Sequence, residues 1–402
     1  MNPARHLWFA SENSAHSNSI CSNCLAQRPE EFVVDGRQKP TSPGSRSGTL
    51  MSPTFATHHR RILEELGELT MHSEGFTLCV VTHRTGSTYR KAGAMVVVRS
   101  DGSRCGVISG GCLEADLGAA ATDALRSGKP RITTVDTRAD HDLIFGSGSG
   151  CRGRTEILLL PVAAGSSHPL CEALLAADNT HSTLKVLFIT DGPGVGGGFI
   201  WSQDREAMFE PRVEAARALR HRPPGVYPVA NGSVGTVLLL PPTPRLLLVG
   251  AGPEVPALIS TVRLLGWRVC VTDHRTRLLD EHAGGADGTI AGRPREALEA
   301  LSKEPPDACI VMTHAASTDR EALSVLAETS VPFIGLLGPQ ARRDELLAEL
   351  DDEVRVSLCT RLHAPVGVKL GGHGPEVLAL SVSAQLQRFV ATQAEARSGS
   401  VC

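Results

Sequence analysis

Long apolar runs are missing from this chain of 402 residues. The longest candidate, Val237–Val249, is interrupted by Pro241, Pro242 and Pro244, whereas a membrane helix needs about 18 or more continuous apolar residues. This segment therefore predicts two strands. Residues 1–20 also lack the continuous apolar core of a secretory signal. We accordingly expect a cytoplasmic protein with no membrane partner.

A strong excess of one charge is missing as well. Lys and Arg total 40 against 43 Asp and Glu, the net charge is -3, and no block is rich in Lys or Arg. Nucleic acid binding requires a concentrated basic surface, so we expect no nucleic acid partner. The 11 cysteines show no paired spacing, which is typical of a reducing compartment without disulfides. The chain is globular, with room for roughly two or three cores.

Composition predicts an N-terminal extension followed by two domains. Residues 1–50 are rich in Ser, Asn, Pro and Arg, and we expect them to be disordered or to precede a true start at Met51. Cys21 and Cys24 are interpreted as incidental thiols, because no second ligand pair for zinc follows them. The other predicted segments are an N-terminal domain at 51–165, a connecting region at 166–243, a C-terminal domain at 244–395 and a tail at 396–402.

The N-terminal domain is predicted to be mixed α/β. Apolar residues at 62, 63, 66 and 69 have the spacing of an amphipathic helix. Asp101-Gly102 supplies the tight turn of a hairpin. The further predicted elements are strands at 76–82, 94–99, 104–108, 131–135 and 155–160, a polar loop at 83–93 and a helix at 113–125.

The connecting region carries no recognisable chemistry. We predict a helix at 170–177 and strands at 184–190 and 234–240. The glycine run 192–198 lacks the Lys-Ser/Thr of a phosphate loop. It is therefore interpreted as a hairpin connection.

Cys112 is the first candidate for chemistry. It follows Ser109, Gly110 and Gly111, directly before the predicted helix that Glu114 enters. A thiol at a helix N-terminus lies near the positive end of the helix dipole, which favours the thiolate. Thiolates bind soft metals and accept persulfide sulfur. The alternative is a small apolar side chain that packs in the core.

The same N-terminus could receive a phosphate or another oxyanion, which Arg84, Arg90 and Lys91 in the facing loop could neutralise. Cys151, in a second glycine-rich loop beside Arg152 and Arg154, has the same two interpretations as Cys112. Three further cysteines lie in predicted strands, where core packing is expected: Cys79, Cys270 and Cys309.

From residue 244 strands and helices alternate, which predicts a Rossmann-like doubly wound parallel sheet and an α/β fold class. Gly250 and Gly252 follow its first strand and Asp273 ends the second, which is most of a dinucleotide fingerprint. The third glycine position is Val255, however, and Pro253 lacks an N–H group for a pyrophosphate. NAD(P) therefore stays possible, but tight binding is not expected.

Ligands of such sheets lie outside the carboxyl ends of the strands. The residues predicted at that edge are polar and mostly cationic, and would suit a phosphorylated, ring-bearing ligand such as a pterin or a nucleotide. For each histidine, a structural hydrogen bond is the alternative. The set is Asp273, His274, Arg275, Thr313, His314, Gly338, Arg342, Arg343, Arg361 and His363.

These motifs together resemble the XdhC/CoxI family of xanthine dehydrogenase accessory factors. The resemblance extends from about residue 55 to the C-terminal helix, apart from much of 166–243. The N-terminal segments that carry it are Thr85–Gly93, Gly106–Glu114 and Gly148–Gly153. The C-terminal segments that carry it are Gly250–Pro253, Asp273–Arg275, Val311–His314, Phe333–Gly338 and Arg361–Gly367.

The resemblance implies a carrier and not a turnover catalyst. Its expected cargo is the molybdenum cofactor (molybdopterin), sulfurated with a cysteine desulfurase and delivered to a xanthine dehydrogenase or a related molybdenum hydroxylase. A homodimer is implied. Cys112 becomes the candidate molybdenum or sulfur contact, Cys151 the second thiol, and the Gly250 loop a nucleotide-like binding surface.

Two other classes of protein stay open. An NAD(P)-dependent oxidoreductase would explain the Rossmann-like domain but would leave Cys112 and the N-terminal half without a role. A scaffold between a desulfurase and a hydroxylase would explain why no catalytic constellation is present. It would not require thiols in glycine-rich turns.

Overall fold

The computed structural model describes residues 59–108, 114–136, 153–202, 205–211 and 213–399. Within these ranges the chain forms two sheets of five strands and one of six. No helix in the same ranges is both long enough and apolar enough to cross a membrane.

The N-terminal elements form a mixed α/β layer. In chain order they are α1 (His59–Met71), β1 (Phe76–Gly86), β2 (Met95–Arg99), β3 (Arg104–Cys105), α2 (Glu114–Ser127), β4 (Arg131–Asp136) and β5 (Gly153–Val162). The strands pair antiparallel in the order β3-β2-β1-β5-β4. Helix α1 packs on one face of this first sheet and α2 on the other. The predicted helices and hairpin are confirmed.

Strand β1 is longer than the sequence predicts. It continues to Gly86, through residues predicted as a polar loop, because Arg84–Gly86 pair with Gly153–Thr155 of β5. The register shifts between Val81 and His83, so the side chains beyond this bulge no longer follow the alternation of the buried strand. Beyond this point β1 is paired with β5 and no longer with β2. Its side chains are less buried there, so the strand can continue through polar residues.

The connecting region forms a second sheet, with five strands where the sequence predicts two. Its elements are α3 (Pro169–Asn179), β6 (Leu184–Asp191), β7 (Gly198–Trp201), β8 (Glu206–Phe209), a 3-10 helix (Glu214–His221), β9 (Gly225–Pro228), a short 3-10 turn (Ala230–Gly232) and β10 (Val234–Leu240). The strand order is β8-β7-β6-β10-β9. Strands β7, β8 and β9 have only four residues each, too few to show a periodic pattern.

The first and second sheets share one hydrophobic core. Helix α1 buries Ile62 and Leu66, and α3 buries Leu174, in the same cluster as Leu78 of β1 and Phe188 of β6. The spacing of the α1 residues is the one predicted from the sequence. Burial of a leucine or isoleucine side chain contributes about 1.5–3 kcal/mol. The connecting region is thus part of the N-terminal core.

The glycine run 192–198 joins β6 to β7, as predicted for a hairpin connection. Its glycines are required by close backbone packing. A Cβ on Gly196 would lie 2.1 Å from the Pro130 side chain, and one on Gly197 would lie 1.8 Å from the Pro211 carbonyl oxygen. The run is therefore a tightly enclosed hairpin.

The C-terminal elements form the predicted Rossmann-like sheet. They are β11 (Arg245–Val249), α4 (Val255–Leu264), β12 (Arg268–Asp273), α5 (Thr276–His282), β13 (Gly288–Ala291), α6 (Pro294–Ala300), β14 (Ala308–Val311), α7 (Ala316–Ala327), β15 (Phe333–Leu336), α8 (Gln340–Ala348), α9 (Asp352–Leu358), β16 (Leu362–His363) and α10 (Pro375–Gly399). All strands are parallel in the order β13-β12-β11-β14-β15-β16. Helices α4 and α10 cover one face, and α7, α8 and α9 the other.

The third sheet meets the N-terminal core through its amino-terminal edge. Asp178 of α3 is buried, and its carboxylate accepts the Thr243 N–H at 2.8 Å and Arg268 Nη2 at 2.5 Å. Arg60 of α1 donates to both carboxylate oxygens of Asp287, at 2.5 and 2.8 Å. Because Arg268 begins β12 and Asp287 precedes β13, these contacts leave the carboxyl ends of the strands uncovered by the N-terminal helices.

Gly197→Ala should destabilise the protein, because its Cβ would overlap the Pro211 carbonyl oxygen. Overpacking of this kind lowers the free energy of unfolding by about 1–3 kcal/mol. Gly67→Ala is the matched control: no atom lies within 4 Å of its Cβ in α1, so it should stabilise by about 0.5–1 kcal/mol. Urea unfolding measures both variants, and an unchanged midpoint for Gly197→Ala would contradict the enclosed hairpin.

Candidate functional site

Five of the predicted site residues lie outside the described part of the chain: Ser109, Gly110, Gly111, Cys112 and Cys151. The roles proposed for the two thiols therefore stay predictions. The residues on either side of both segments are described, and they show where each segment joins the fold.

Both segments are connected to the first sheet and to helix α2, which packs on it. Gly86 at the end of β1 lies opposite Gly153 at the start of β5, and Asp136 at the end of β4 lies opposite Arg154. On the other segment, the Ile108 N–H donates to Glu114 Oε1 at 3.3 Å. Ile108 packs in the same cluster as residues of β1 and β2. We call this the thiol-flanking end, defined by Gly86, Ile108, Glu114, Asp136 and Gly153.

Glu114 is held at this end by Arg104 of β3. The Arg104 guanidinium donates to the Glu114 carbonyl and lies 3.5 Å from its carboxylate. Glu114 begins α2 as predicted, and a carboxylate in the first turn stabilises a helix through its dipole. Its observed contacts are structural, since it ties the start of α2 to the residues before it.

The predicted anion-binding residue Arg90 also lies at the thiol-flanking end, between β1 and β2. Gly153 packs against this connection: a Cβ there would be 2.4 Å from the Ser87 carbonyl oxygen. The Thr88 hydroxyl donates to the Arg90 carbonyl at 3.0 Å. Nε and Nη2 of Arg90 are buried without a hydrogen-bond partner in the described structure. Burial lowers the pKa of its guanidinium.

The strand cysteines pack in the core, as predicted. Cys79 and Cys309 are buried, and burial raises the pKa of both thiols. Cys270 is half-buried, and burial followed by the charge of Asp287 raises its pKa to about 11. These thiols are protonated at neutral pH and are unsuited to bind a soft metal.

The second group of predicted residues lies at the carboxyl edge of the third sheet. The strand order reverses between β11 and β14, which is where such sheets bind ligands. Gly250 allows the loop after β11 to pack on the loop after β14. Its φ is 113° and a Cβ would lie 2.6 Å from the Met312 carbonyl oxygen. This glycine therefore serves the fold itself.

Asp273 is engaged by its own chain. Its buried carboxylate accepts the Ala251 N–H at 2.9 Å and two hydrogen bonds from the Arg275 guanidinium at 2.8 and 2.9 Å. Burial alone would raise the pKa of Asp273, but the bonds from Arg275 and Ala251 outweigh it and lower the pKa to about 2. His274 Nδ1 lies 3.6 Å away. The acid that would bind a ribose in a dinucleotide site thus already has partners.

A carboxylate–imidazole contact lies over Gly252. Glu254 Oε2 is 3.4 Å from His314 Nε2, and a Cβ on Gly252 would be 2.7 Å from that carboxylate and 3.2 Å from the imidazole. His314 adopts a φ of 61°, which is uncommon for a residue other than glycine. In dinucleotide sites this glycine lets the backbone approach the pyrophosphate, whereas here side chains occupy that approach.

Other residues of the edge bind one another. Asp319, in the first turn of α7, is not predicted from the sequence; it is buried and accepts bonds from the Thr313 hydroxyl at 2.5 Å and Arg342 Nη2 at 2.6 Å. Gly338 lies beside Arg342, whose Cδ would be 2.8 Å from an added Cβ. An acidic residue early in a helix that follows a strand is the signal that could have identified Asp319.

Two residues predicted at this edge have structural roles. For Arg361 the prediction is wrong: it precedes β16, at the amino end of a parallel strand, and donates to the Thr329 and Val331 carbonyls at 2.8 Å. His363 stacks on Phe333 with ring centroids 4.2 Å apart. Burial, and then the charge of Arg388, lower the pKa of His363.

Among the described residues, Arg90 and Glu114 of the first group are not brought to the carboxyl edge of the third sheet. The N-terminal helices contact the amino ends of the third sheet, and its central strands separate those contacts from the carboxyl edge by roughly 15–20 Å. Among the residues that the structure describes, no cluster of three or more His, Cys, Asp or Glu could hold a metal ion.

Arg275→Met should destabilise the protein by about 1–3 kcal/mol at pH 7, because Asp273 stays buried without its cationic partner. The folded-state pKa of Asp273 is depressed to about 2. The loss is therefore complete above the ordinary pKa of about 3.9 and shrinks as the pH falls towards 2. Urea unfolding at pH 7, 5 and 3.5 measures it, with exposed Arg277→Met as control. An equal loss at every pH would contradict this account.

Comparison with known proteins gives two family matches. Residues 246–386 match the model of the XdhC Rossmann domain. Residues 70–136 match the model of the XdhC and CoxI family. The first match covers the third sheet, and the second runs through the strands and helix that flank Cys112.

Relatives match over most of the chain. A probable xanthine dehydrogenase subunit of Bacillus subtilis is 28% identical over 80% of this chain and 95% of its own. The molybdenum cofactor insertion chaperone PaoD of Escherichia coli is 24% identical over 82% and 87%. A crystal structure of a xanthine dehydrogenase from Bacillus halodurans covers 84% of this chain and 97% of its own, with 29% identity and a TM-score of 0.69. The chain belongs to the XdhC and CoxI family, the xanthine dehydrogenase accessory factors.

Proposed function

We propose that this protein binds the molybdenum cofactor, supports its sulfuration with a cysteine desulfurase and delivers it to a xanthine dehydrogenase or a related molybdenum hydroxylase. The similarity to a molybdenum cofactor insertion chaperone over most of both chains supports the cargo. The similarity to a probable xanthine dehydrogenase subunit supports the class of recipient. The family resemblance implies the desulfurase partner and the homodimer. The proposed cytoplasmic location rests on the cysteine pattern, which is typical of a reducing compartment.

One observation carries the choice of site. The described residues beside both thiol-bearing segments belong to the first sheet and its helix α2, and the connection that contains Arg90 packs against Gly153 of the same sheet. On this basis we propose that Cys112 and Cys151, far apart in sequence, serve one cargo site. A soft metal with sulfur ligands and an anionic cofactor would find both thiols and a cation there.

Cys112 is the thiol that we assign to the cargo first. It lies two positions before Glu114, the first residue of α2. The positive end of a helix dipole favours the thiolate, which is the form that binds metals and accepts sulfur. The described cysteines with raised thiol pKa values lack this advantage.

The oxidoreductase alternative finds less support. The acid that would bind a ribose is paired with Arg275, and the Glu254–His314 pair lies over the glycine that would meet the pyrophosphate. A fold alone does not establish an activity. We therefore propose the thiol-flanking end as the main cofactor site and the carboxyl edge of the third sheet only as a second, nucleotide-like binding surface.

The full chain, expressed with a supply of molybdenum cofactor, should co-purify with near-stoichiometric pterin, and Cys112→Ala should lose most of it. Oxidised pterin released from the purified protein is the measurement. Cys270→Ala is the matched control, because its thiol is protonated and packs against the core. Cys151→Ala tests whether the second thiol contributes.

Pterin that stays with Cys112→Ala at the wild-type level would remove Cys112 from the cargo site. Wild-type protein free of pterin and molybdenum under the same conditions would overturn the proposed function. Thermal melting of each variant verifies that the loss is not caused by unfolding.

NADPH should bind weakly, with no saturation below about 1 mM, because Glu254 and His314 occupy the approach to Gly252. Quenching of nicotinamide fluorescence is the measurement. Saturable binding in the micromolar range, together with turnover of an oxidisable substrate, would favour the oxidoreductase.

A further inference from the structure

Arg90 is a half-buried cation without a counter-ion in the described ranges. Its Nε and Nη2 atoms are inaccessible to solvent and make no hydrogen bond there. The group that interacts with its charge is the neighbouring Tyr89 side chain, and burial dominates its environment. His83, in the same segment, also has a buried Nδ1 without a partner. The thiol-flanking end thus contains polar groups that the described fold leaves unsatisfied.

Other partly buried arginines of the described structure donate hydrogen bonds to a carboxylate or a carbonyl oxygen. Arg60 is paired with Asp287 at 2.5 Å, Arg342 with Asp319 at 2.6 Å, and Arg361 reaches the carbonyl groups near the end of α7. A buried charge without a partner is costly. Arg245 and Arg342 also have one buried nitrogen without a partner, but each donates to an acceptor through Nη2. Arg90 differs because both of its buried nitrogens lack a partner in the described ranges, which indicates a site whose missing component is an anion.

We propose that the Arg90 guanidinium binds the phosphate group of the molybdenum cofactor cargo. This assignment rests on the proposed function and adds the part of the cargo that the residue recognises. The pterin carries a terminal phosphate monoester, which becomes a pyrophosphate when a nucleotide is attached. Both present the same anionic oxygens to a guanidinium.

A guanidinium is well matched to such a group. It presents its N–H donors in a planar fork that can bind two phosphate oxygens at once. Nε and Nη2 are adjacent donors on one edge of that fork, and these are the two atoms of Arg90 without partners in the described structure. Removal of water from the guanidinium strengthens its attraction for an anion.

The neighbouring charges are compatible with an anion. Lys91 follows Arg90 and is exposed, and Arg84 lies earlier in the same segment. The carboxylate of Glu156, opposite His83, is paired with Arg154 at 2.9 Å. The Thr88 hydroxyl and the packing of Gly153 fix the connection around Arg90. These contacts hold the backbone of the connection that carries Arg90.

The test compares phosphorylated cargo with cargo treated with a phosphatase, each bound to the full-length protein. Wild type should bind the phosphorylated form about 10- to 100-fold more tightly, the range expected for hydrogen bonds between charged groups. Arg90→Met should bind the phosphorylated form more weakly by a similar factor and should not distinguish the two forms. Arg90→Lys should retain part of the preference. Lys129→Met, which removes an exposed charge just after α2, should behave as wild type.

A second readout needs no cargo. Inorganic phosphate or pyrophosphate should raise the melting temperature of wild type and leave that of Arg90→Met unchanged. A larger shift with pyrophosphate would assign the site to the nucleotide form, and a larger shift with phosphate to the monoester. Without ligand, Arg90→Met should melt at or above the wild-type temperature, because an unpaired buried charge is removed.

Arg90→Met with wild-type affinity and an intact preference for the phosphorylated cargo would overturn the assignment while the proposed function stands. Wild type that binds neither form of the cargo, yet is stabilised by phosphate only when Arg90 is present, would overturn the proposed function and leave an anion site. The two failures are thus distinguishable.

Discussion

The antiparallel pairing of β1 with β5 is the constraint on which the N-terminal architecture depends. It runs from Phe76 opposite Val162 to Gly86 opposite Gly153, and the paired strands are buried on both faces. A slip of one residue would exchange the side chains of the two faces, so the register is strongly fixed. At its end, the absence of a Cβ on Gly153 allows the Ser87 carbonyl to approach. The same contact places the Arg90 connection beside Gly153, where the described chain resumes after the segment that contains Cys151.

The joint between the two halves depends on two carboxylates, of which Asp178 is buried and Asp287 is exposed. Asp178 accepts hydrogen bonds from Thr243 and Arg268, and Asp287 accepts them from Arg60 and Val269. Such pairs contribute more to geometry than to net stability. These contacts orient the two halves so that the N-terminal core covers the amino edge of the third sheet and leaves its carboxyl edge accessible.

The third sheet has the strand order of a dinucleotide-binding domain, but the residues at its carboxyl edge have partners within the chain. Its strand order and its first glycine are those of a dinucleotide-binding domain. Internal partners occupy Asp273, and the Glu254–His314 pair covers Gly252. The hydrogen-bonding groups that would meet a dinucleotide are therefore satisfied within the chain. The proposed cofactor site is therefore at the thiol-flanking end and not at the carboxyl edge of the third sheet.

The sequence by itself determined the parallel sheet, α1, the β2–β3 hairpin and the core positions of Cys79 and Cys309, because period, turn chemistry and apolar runs are local signals. Only the tertiary structure decided the three short strands of the second sheet, the place of Arg361 and the partners of Asp273. Four-residue strands have no period, and a residue beside a strand does not reveal which edge of the sheet it occupies. The lack of a counter-ion at Arg90 within the described ranges is likewise a tertiary fact, since charge pairing is set by contacts between residues distant in sequence.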